Sequence, residues 1–368
     1  MTKSIVVDIT HNPTQAYGEP EKKQYSAFEL LQPLDDAKKI AFGHARLPQS
    51  YSVRNARVLG LSNVILNSQN MACLNNIVFN PKISDKVFDK GETGLEIINA
   101  KIHFSPKNKV RLKKAIFLGS HPNFGHWVFN HLARLKYVTF DDPETKYIIH
   151  STATANQIAF LNLCGIPSSK LHLTEACTIT EVDHLLIPQM PWHLLPGEGV
   201  WWSPSSIQHL RTLLFGGNNL KPKNNRRIFL TRQHTNWRRV INEAKLFQMA
   251  KNYGFELIDV GKLAIKEQFD LGLETSSVIS PLGANSNFFL FMQNNTKLLE
   301  LAPPMNCMNV TGRFCQAAAI HYHQLFGNPS KSKTNNEIDA DYYINEQLFE
   351  IELQRLLQRE ETKVFALA

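Results

Sequence analysis

The stretch RRIFLTRQHTNWRRVINEAKLFQMAKNYGFELIDVGKLAIKEQFDLGLETSSVISPLGANSNFFLFMQNNTKLLELAPP, residues 226–304, decides the fold of this chain. It contains short apolar runs with β-character at 228–231, 255–260, 277–281 and 297–301, and the segments between them carry apolar residues at helical spacing. Strands that alternate with single helices predict a βαβαβαβ unit with a parallel sheet. Because such sheets bind ligands beyond the carboxyl ends of their strands, candidate functional residues are expected there.

Two local signals bound the first helix of this unit. Asn242 stands at the N-cap position, and Glu243 adds negative charge at the helix start. Gly254 follows Tyr253, where a left-handed residue commonly ends a helix. We therefore predict a helix that begins after Asn242 and ends just before Gly254.

The composition is that of a globular protein with a basic surface. The 368 residues are 43% apolar and 20% charged, and Lys plus Arg exceed Asp plus Glu by 40 − 32 = +8. This excess suits an anionic small ligand, a nucleic acid or an anionic membrane surface, and does not choose among them. The chain has no zinc-finger spacing, RNP-type motif or long Lys/Arg run, so we expect no nucleic-acid partner.

Cysteine usage and the amino terminus indicate the cellular compartment of the protein. The five cysteines are odd in number and scattered, which favours neither a disulfide framework nor a zinc site; they are Cys73, Cys164, Cys177, Cys307 and Cys315. The amino terminus lacks the apolar run of a signal peptide, and no window approaches about 18 apolar residues. We expect a cytoplasmic protein with no cofactor and no metal site.

Outward from 226–304, the chain predicts a second alternating unit. Its strands are expected at 115–119, 147–150, 171–173 and 185–188, and its helices at 122–138 and 156–163. Further strands are expected at 4–9, 57–66, 76–79 and 95–104, and further helices at 207–215, 310–326 and 345–358. The expected division is a β-rich region at 1–113, a first Rossmann-like unit at 114–205, a second at 206–328, and a polar loop with a helix at 329–368, with 189–206 as the connection between the two Rossmann-like units.

Histidines follow the first strand of this second unit. The segment GSHPNFGHWVFNHLARL, residues 119–135, places His121 in a turn and His126 and His131 on a helix. His126 and His131 lie about 140° apart around an ideal helix and so do not form an i,i+4 metal pair. Histidine has a pKa suited to deprotonating a hydroxyl, so His126 or His121 is a candidate general base. The alternative for each histidine is a cap or a packing residue.

The 226–304 unit carries the candidate anion site. Its arginines bracket the first strand and the loop after it; they are Arg226, Arg227, Arg232, Arg238 and Arg239. Guanidinium groups at a strand's carboxyl end suit a diphosphate, and Arg232 ends the strand. The turn SPLGANSN, 280–287, has small residues at Gly283 and Ala284 but matches neither GxGxxG nor a P-loop. Glu300, in LLELAPP, is placed to accept hydrogen bonds from ribose hydroxyls. Surface ion pairing is the alternative for the arginines, and a solvent-facing side chain is the alternative for Glu300.

Taken together, these motifs resemble glycosyltransferase family 61. The resemblance rests on NFGHW…ARL, RRIFLTR, R-x-x-NE, EQF, SPLGANSN and LLELAPP in this order, and it covers 114–304. It implies a GT-B architecture, in which two Rossmann-like domains face a cleft, one for a nucleotide-sugar donor and one for the acceptor. It also implies transfer with inversion and without a DxD-held metal. Asp339-Ala-Asp341 has the DxD letters but lies in a polar loop far from the strand ends.

The resemblance assigns donor-binding roles to individual residues. Arg232 would contact the diphosphate, and Arg239, Asn242 and Glu243 would shape the loop beneath it. Gly283, Ala284 and Asn285 would lie at the nucleotide, and Glu300 would hold the ribose. The expected partners are a nucleotide-sugar donor and a glycan or lipid-linked acceptor in surface polysaccharide synthesis. Peripheral contact with the inner membrane and a homodimer both stay open.

Two departures from the family pattern keep a second interpretation open. Leu282 stands where the family usually has a histidine, and Asn130 stands where it often has an acidic residue. The general base is therefore His126, His121 or a carboxylate from the amino-terminal region. The alternative function is a non-catalytic nucleotide-sugar or glycan-binding protein that keeps the fold.

Overall fold

A computed structural model gives the architecture. It describes residues 21–24, 50–53, 58–66, 72–74, 77–79, 97–99, 108–119, 123–137, 143–150, 153–174, 178–188, 192–195, 199–202, 204–216, 226–303, 310–330 and 339–361. The described residues of Met1–Lys22 and Ser52–Leu213 form one compact unit, and those of Lys23–Tyr51 and Leu214–Ala368 form a second. The finer four-part division of the chain stays a prediction.

The first unit is organised by a mixed sheet. Ahead of it, β1 (Glu21–Gln24) pairs with β2 (Ser50–Val53). In the described residues the mixed sheet has the order β6-β5-β4-β3-β10-β7-β8-β9. Its strands are β3 (Val58–Leu66), β4 (Ala72–Leu74), β5 (Ile77–Phe79), β6 (Ile97–Asn99), β7 (Asn108–Phe117), β8 (Lys146–His150), β9 (Leu171–Thr174) and β10 (Thr178–Pro188).

The parallel half of this sheet has a reversal in strand order. Strands β10, β7, β8 and β9 are parallel neighbours, while β10 pairs antiparallel with β3 on its other side. If β7, β8, β9 and β10 are numbered 1 to 4 by their order in the chain, their order across the sheet from β9 is 3-2-1-4. The strand order therefore reverses between β7 and β10. Consecutive residues Tyr147, Ile148 and Ile149 of β8 are all buried, as expected for a strand with both faces covered.

Helical segments follow the parallel strands of the first unit. After β7 the chain makes one α-turn (Phe124–His126), widens to a π-helical turn (Trp127–His131) and tightens to a 3₁₀ segment (Leu132–Tyr137). Helix α1 (Ala155–Leu163) begins at a capping box formed by Thr154 and Gln157. Next come a short 3₁₀ turn (Ser168–Lys170), the hairpin of β11 (Trp192–Leu195) and β12 (Gly199–Trp202), and helix α2 (Pro204–Phe215). That hairpin occupies part of the predicted connection at 189–206.

The second unit is built on a fully parallel sheet. In the described residues its order is β14-β13-β15-β16-β17, from β13 (Arg226–Leu230), β14 (Phe255–Ile258), β15 (Thr275–Pro281), β16 (Lys297–Ala302) and β17 (His321–Phe326). All neighbouring pairs are parallel. Counted along the chain, the order is 2-1-3-4-5, which is the flavodoxin-like arrangement. The parallel α/β architecture predicted from 226–304 is therefore confirmed.

Helices and a buried apolar cluster complete the second unit. Its helical elements are α3 (Glu243–Lys251), 3₁₀ Val260–Lys262, α4 (Ile265–Glu274), 3₁₀ Ala284–Phe291, α5 (Val310–Ala317) and α6 (Glu346–Glu361). Phe229 on β13, Leu246 on α3 and Phe349 on α6 are all fully buried in one cluster, which holds both helices against the sheet. A short pair, β18 (Asn328–Pro329) with β19 (Tyr342–Tyr343), precedes α6.

Several sequence predictions can be judged element by element. Helix α3 begins at Glu243 as predicted, and Gly254 follows it with φ = +80°. The predicted helix at 310–326 is wrong in its second half: α5 ends at Ala317, Ala319 turns the chain with φ = +55°, and the rest is β17. Pairing with β16 buries the apolar residues of β17, and this long-range gain outweighs local helix preference. The strand predicted at 4–9 lies outside the described residues.

Candidate functional site

The strongest candidate site lies where the strand order of the second unit reverses. Strands β13 and β15 are neighbours there, although β14 lies between them in the sequence. The helices that follow two such strands leave in opposite directions, which opens a crevice at the strands' carboxyl ends. Thr231 and Arg232 follow β13, and Leu282 and Gly283 follow β15. Two chain segments predicted to bind a ligand therefore come together at this edge.

Arg232 is a buried cation with unused hydrogen-bonding capacity. Arg232 is only 6% exposed, and its Nη2 donates to the carbonyl oxygen of Trp237 at 3.4 Å. Its Nε is buried and has no hydrogen-bond partner among the described residues. Burial lowers the pKa of Arg232, and the positive charge of Arg238 lowers it further. A buried donor with no partner is costly, so this guanidinium is suited to an anionic ligand.

Gly283 makes room for that guanidinium. Its φ of +152° is a conformation that L side chains rarely adopt. A Cβ atom at position 283 would overlap Arg232 Nη1 and would lie 2.6 Å from Arg232 Cζ. Asn285 joins the two segments directly, because its Nδ2 donates to the carbonyl oxygen of Thr231 at 3.0 Å. Ala284 lies between these two residues and is exposed.

Glu243 fixes the chain where β13 ends. Its carboxylate is buried, and it accepts hydrogen bonds from the hydroxyl of Thr231 and, at 3.2 Å, from the backbone N–H of Arg232. Burial raises the pKa of Glu243, while these hydrogen bonds act in the opposite direction. The structure thus places Glu243 beneath Arg232, where it orients the backbone that carries the guanidinium.

Arg239 and Asn242 contact the segment before α6 rather than the crevice. Arg239 donates to Asp341 from Nη2 at 2.6 Å, from Nε at 3.1 Å and from its backbone N–H at 2.9 Å. Asn242 occupies the N-cap position without a side-chain cap hydrogen bond. Its amide instead exchanges hydrogen bonds with the backbone of Ile344, at 2.9 and 3.2 Å. Both residues therefore fix the loop between β13 and α3, and the second Asp of the DxD letters is engaged by Arg239.

Glu300 lies in the interior of the sheet, not at its edge. Strand β16 continues to Ala302, two residues beyond it, and Glu300 is 1% exposed. Its carboxylate accepts hydrogen bonds from the hydroxyls of Tyr322 at 2.6 Å and Thr311 at 2.8 Å, and from Gln324 Nε2 at 3.1 Å. Burial raises its pKa, and a hydrogen bond from Ser286 acts against that rise. Through Ser286, Glu300 is linked to the segment that follows Gly283.

The first unit offers a histidine after β7. His126 is exposed at the end of the α-turn, and Asn123 caps that turn by accepting from the N–H groups of Gly125 and His126. The Nδ1 atom of His126 lies 3.4 Å from Nδ2 of Asn130, the residue that replaces the acidic side chain of the family pattern. The π-helical turn begins directly after His126, and such turns are frequent at functional sites. His121 lies outside the described residues.

Arg134 is a buried residue in this region that the sequence predictions did not single out. It is 2% exposed, and it donates from Nε to the carbonyl oxygen of Asn130 at 3.0 Å and from Nη1 to that of Leu118 at 3.2 Å. His131 Nδ1 lies 2.9 Å from the same Leu118 oxygen. Burial lowers the pKa of Arg134 to about 9. Nothing local in the sequence signals the contact with Leu118, which is 16 residues away.

A comparison with known protein families found one match. Residues 124–299 match the family model described as Glycosyltransferase 61, which confirms the resemblance predicted from the motifs. No curated protein matches the chain. In the described part of the chain, no group of three or more His, Cys, Asp or Glu side chains could hold a metal ion. The helices described here lack the length and apolar character that a membrane span requires.

Proposed function

From the glycosyltransferase 61 domain at residues 124–299, we propose that this chain is an inverting transferase that uses a nucleotide-sugar donor. The observation that carries the proposal is the buried guanidinium of Arg232, which has an unpartnered Nε and lies against Gly283 where the strand order reverses. A site of this kind at a parallel-sheet edge fits the diphosphate of such a donor.

The proposed reaction is a single displacement. The oxygen of an acceptor hydroxyl attacks the anomeric carbon while the bond from that carbon to the phosphate oxygen breaks. The nucleoside diphosphate leaves with the bonding electron pair, and the hydroxyl proton passes to a base. Arg232 stabilises the charge that develops on the leaving diphosphate, in place of a metal ion. Glu243 and Asn285 hold the backbone on either side of it in position.

We assign the base to His126 and the acceptor side to the first unit. His126 is exposed, its backbone is fixed by Asn123, and Asn130 lies beside its Nδ1. Glu300 has a positioning role in this proposal, because its carboxylate is fully engaged by hydroxyl and amide groups of the protein. The acceptor class is a glycan or a lipid-linked glycan of surface polysaccharide synthesis, with the enzyme in the cytoplasm and its basic surface toward an anionic membrane.

Turnover of nucleotide-sugars tests this proposal. Purified protein is incubated with the common UDP-, GDP- and CMP-sugars in excess chelator, and release of the nucleotide and the anomeric configuration of the sugar product are followed by NMR. We expect release from the UDP-sugars or from the GDP-sugars, which carry the diphosphate that the proposal requires, with an inverted product. His126→Ala should lower the turnover number by about 10²–10⁴, the usual contribution of a general base. The matched control is His184→Ala, an exposed histidine on β10.

Two results would contradict the proposal. A His126→Ala variant with turnover within about threefold of the wild type would remove His126 as the base. Binding of a nucleotide-sugar without any turnover would favour the alternative, a non-catalytic nucleotide-sugar- or glycan-binding protein. The supporting observations are Asn130 in place of the family's acidic residue and Leu282 in place of its histidine.

A further inference from the structure

The loop from Gln233 to Arg239, here called the 233–239 loop, is held in one shape around Arg232. Thr235 donates to the carbonyl oxygen of Arg232 from its N–H at 3.0 Å and from its hydroxyl at 2.9 Å. Gln233 Nε2 donates to the carbonyl oxygen of Val240 at 2.9 Å. The N–H of Arg238 donates to the carbonyl oxygen of Asp339 at 3.3 Å. The loop backbone is therefore fixed by its own residues and by the segment before α6.

Arg238 adopts a strained conformation in this loop. Its φ is +54°, in the left-handed region, which is unfavourable for a non-glycine residue. Such strain persists only where the surroundings impose it, and it is concentrated at ligand-binding and catalytic positions. Here the surroundings are the hydrogen bond to Asp339 on one side and the Arg239–Asp341 ion pair on the other.

The guanidinium of Arg238 resembles that of Arg232 and differs from those of Arg226 and Arg239. The Nε atoms of Arg232 and Arg238 are both buried without a hydrogen-bond partner, and among the described residues neither guanidinium is ion-paired with a carboxylate. By contrast, Arg226 pairs with Glu256 and Glu274, and Arg239 pairs with Asp341.

The Arg232 guanidinium lies beside the backbone that carries Arg238, because its Nη2 donates to the carbonyl oxygen of Trp237, the preceding residue, at 3.4 Å. The positive charge of Arg238 depresses the pKa of Arg232, in addition to the effect of burial. Two like charges at one partly buried place repel, and a polyvalent anion would remove that repulsion. Each guanidinium can donate two parallel hydrogen bonds to one phosphoryl group.

We propose that Arg232 and Arg238 together form a two-arginine clamp for a diphosphate, with Arg238 as the second anion-binding residue. This inference rests on the proposed function in naming the ligand as a nucleoside diphosphate. The clamp distinguishes a diphosphate from a monophosphate, because only the former has a phosphoryl group for each guanidinium. Arg238 takes its strained conformation in order to turn its guanidinium toward the same ligand as Arg232.

Calorimetric titration of the full chain with UDP, GDP and inorganic pyrophosphate tests the clamp. The informative variant is Arg238→Gly, because glycine adopts positive φ without strain and the variant should keep the wild-type melting temperature within about 2 °C. We expect its dissociation constant for the bound diphosphate to rise at least about tenfold, and that for the matching monophosphate to change less. Arg226→Ala removes the same charge from the amino end of β13 and should leave binding within about twofold.

Each outcome bears on the two proposals separately. If a nucleoside diphosphate binds to the wild type and equally well to Arg238→Gly, the clamp is overturned while the proposed function stands. If pyrophosphate binds, Arg238→Gly weakens it and no nucleotide binds, the clamp is supported and the proposed function fails. If neither nucleotides nor pyrophosphate bind to the wild type, both are overturned. If Arg226→Ala weakens diphosphate binding as much as Arg238→Gly does, the loss of one positive charge explains both results, and the clamp is overturned.

Discussion

Each unit has a buried arginine near the carboxyl end of a parallel strand at which the strand order reverses, and the two arginines are used differently. Arg134, after β7, donates to two backbone carbonyl oxygens, those of Asn130 and Leu118. Arg232, after β13, donates to one carbonyl oxygen at 3.4 Å and has a buried Nε without a partner among the described residues. Both are arginines and both are buried, at 2% and 6% exposure, although Arg134 lies on the helical segment after β7 and Arg232 lies two residues past the end of β13.

The difference shows that burial of an arginine does not by itself indicate a binding site. What separates the two residues is the number of donor groups that the protein satisfies. The hydrogen bonds of Arg134 join the end of β7 to the helical segment after it, so this arginine stabilises the fold. The buried Nε of Arg232 has no partner among the described residues, and its guanidinium lies against Gly283, so this arginine is the candidate ligand-binding residue of the pair. The predictions that follow test this distinction in decreasing order of effect.

The largest effect is expected from Arg134→Ala. The change removes the buried hydrogen bonds that Arg134 donates to the carbonyl oxygens of Asn130 and Leu118, and it opens a cavity beside Phe117, whose ring lies 6.0 Å from the guanidinium carbon. We expect the free energy of unfolding to fall by about 3 kcal/mol, measured by urea denaturation. Binding of the nucleoside diphosphate, measured at a temperature where the variant is folded, should be unchanged. Weaker binding with unchanged stability would reverse the roles of the two arginines.

A smaller effect is expected from Gly283→Ala. The new methyl group must displace the end of the Arg232 side chain, and φ at this position is unfavourable for alanine, at about 1–3 kcal/mol. We expect diphosphate affinity to fall at least about tenfold, with a loss of stability of the size of that strain. The control is Gly261→Ala in the same unit, where an added Cβ would lie 3.2 Å from Asp259 Oδ1 and φ is not positive. Wild-type affinity in Gly283→Ala would show that the position of the guanidinium against Gly283 is irrelevant to binding.

The smallest effect is a change in pH dependence in Glu300→Gln. Burial raises the pKa of Glu300 above its ordinary value of 4.5, so the folded protein holds this proton more tightly than the unfolded chain does. The corresponding stability is complete below about pH 4.5 and is lost as the pH rises through the raised pKa. We therefore expect the variant to gain stability relative to the wild type as the pH rises above about 4.5. A difference in unfolding free energy that does not vary with pH would show that Glu300 ionises normally.

The elements were predictable where the pattern is local. The runs at 228–231, 255–260, 277–281 and 297–301 correspond to β13, β14, β15 and β16, because buried parallel strands read as short apolar runs. Arg232 could be selected because it directly follows such a run. The 310–326 segment was mispredicted because the apolar residues of β17 are compatible with a helix as well as with a strand, and only the partner strand β16 decides.

Contacts between distant residues could not be predicted in this way. Asn242 was correctly placed before a helix, but its side chain bonds to Ile344, 102 residues away. Arg134 donates to the carbonyl oxygen of Leu118, and the left-handed Arg238 donates from its backbone N–H to that of Asp339. No spacing in the sequence connects the two residues of either pair. Sequence therefore indicated Arg232 but not Arg134, and the count of their hydrogen bonds separated the stabilising residue from the candidate ligand-binding one.

The most direct test of the central claim is a calorimetric titration of UDP, GDP and CMP into the wild type, Arg232→Ala and Arg226→Ala. We predict that one nucleotide family binds to the wild type, that Arg232→Ala weakens its binding by about tenfold to a hundredfold, and that Arg226→Ala leaves it unchanged. Equal affinity of the wild type and Arg232→Ala, with the variant folded, would contradict the claim that the reversal of strand order beside β13 is the donor site.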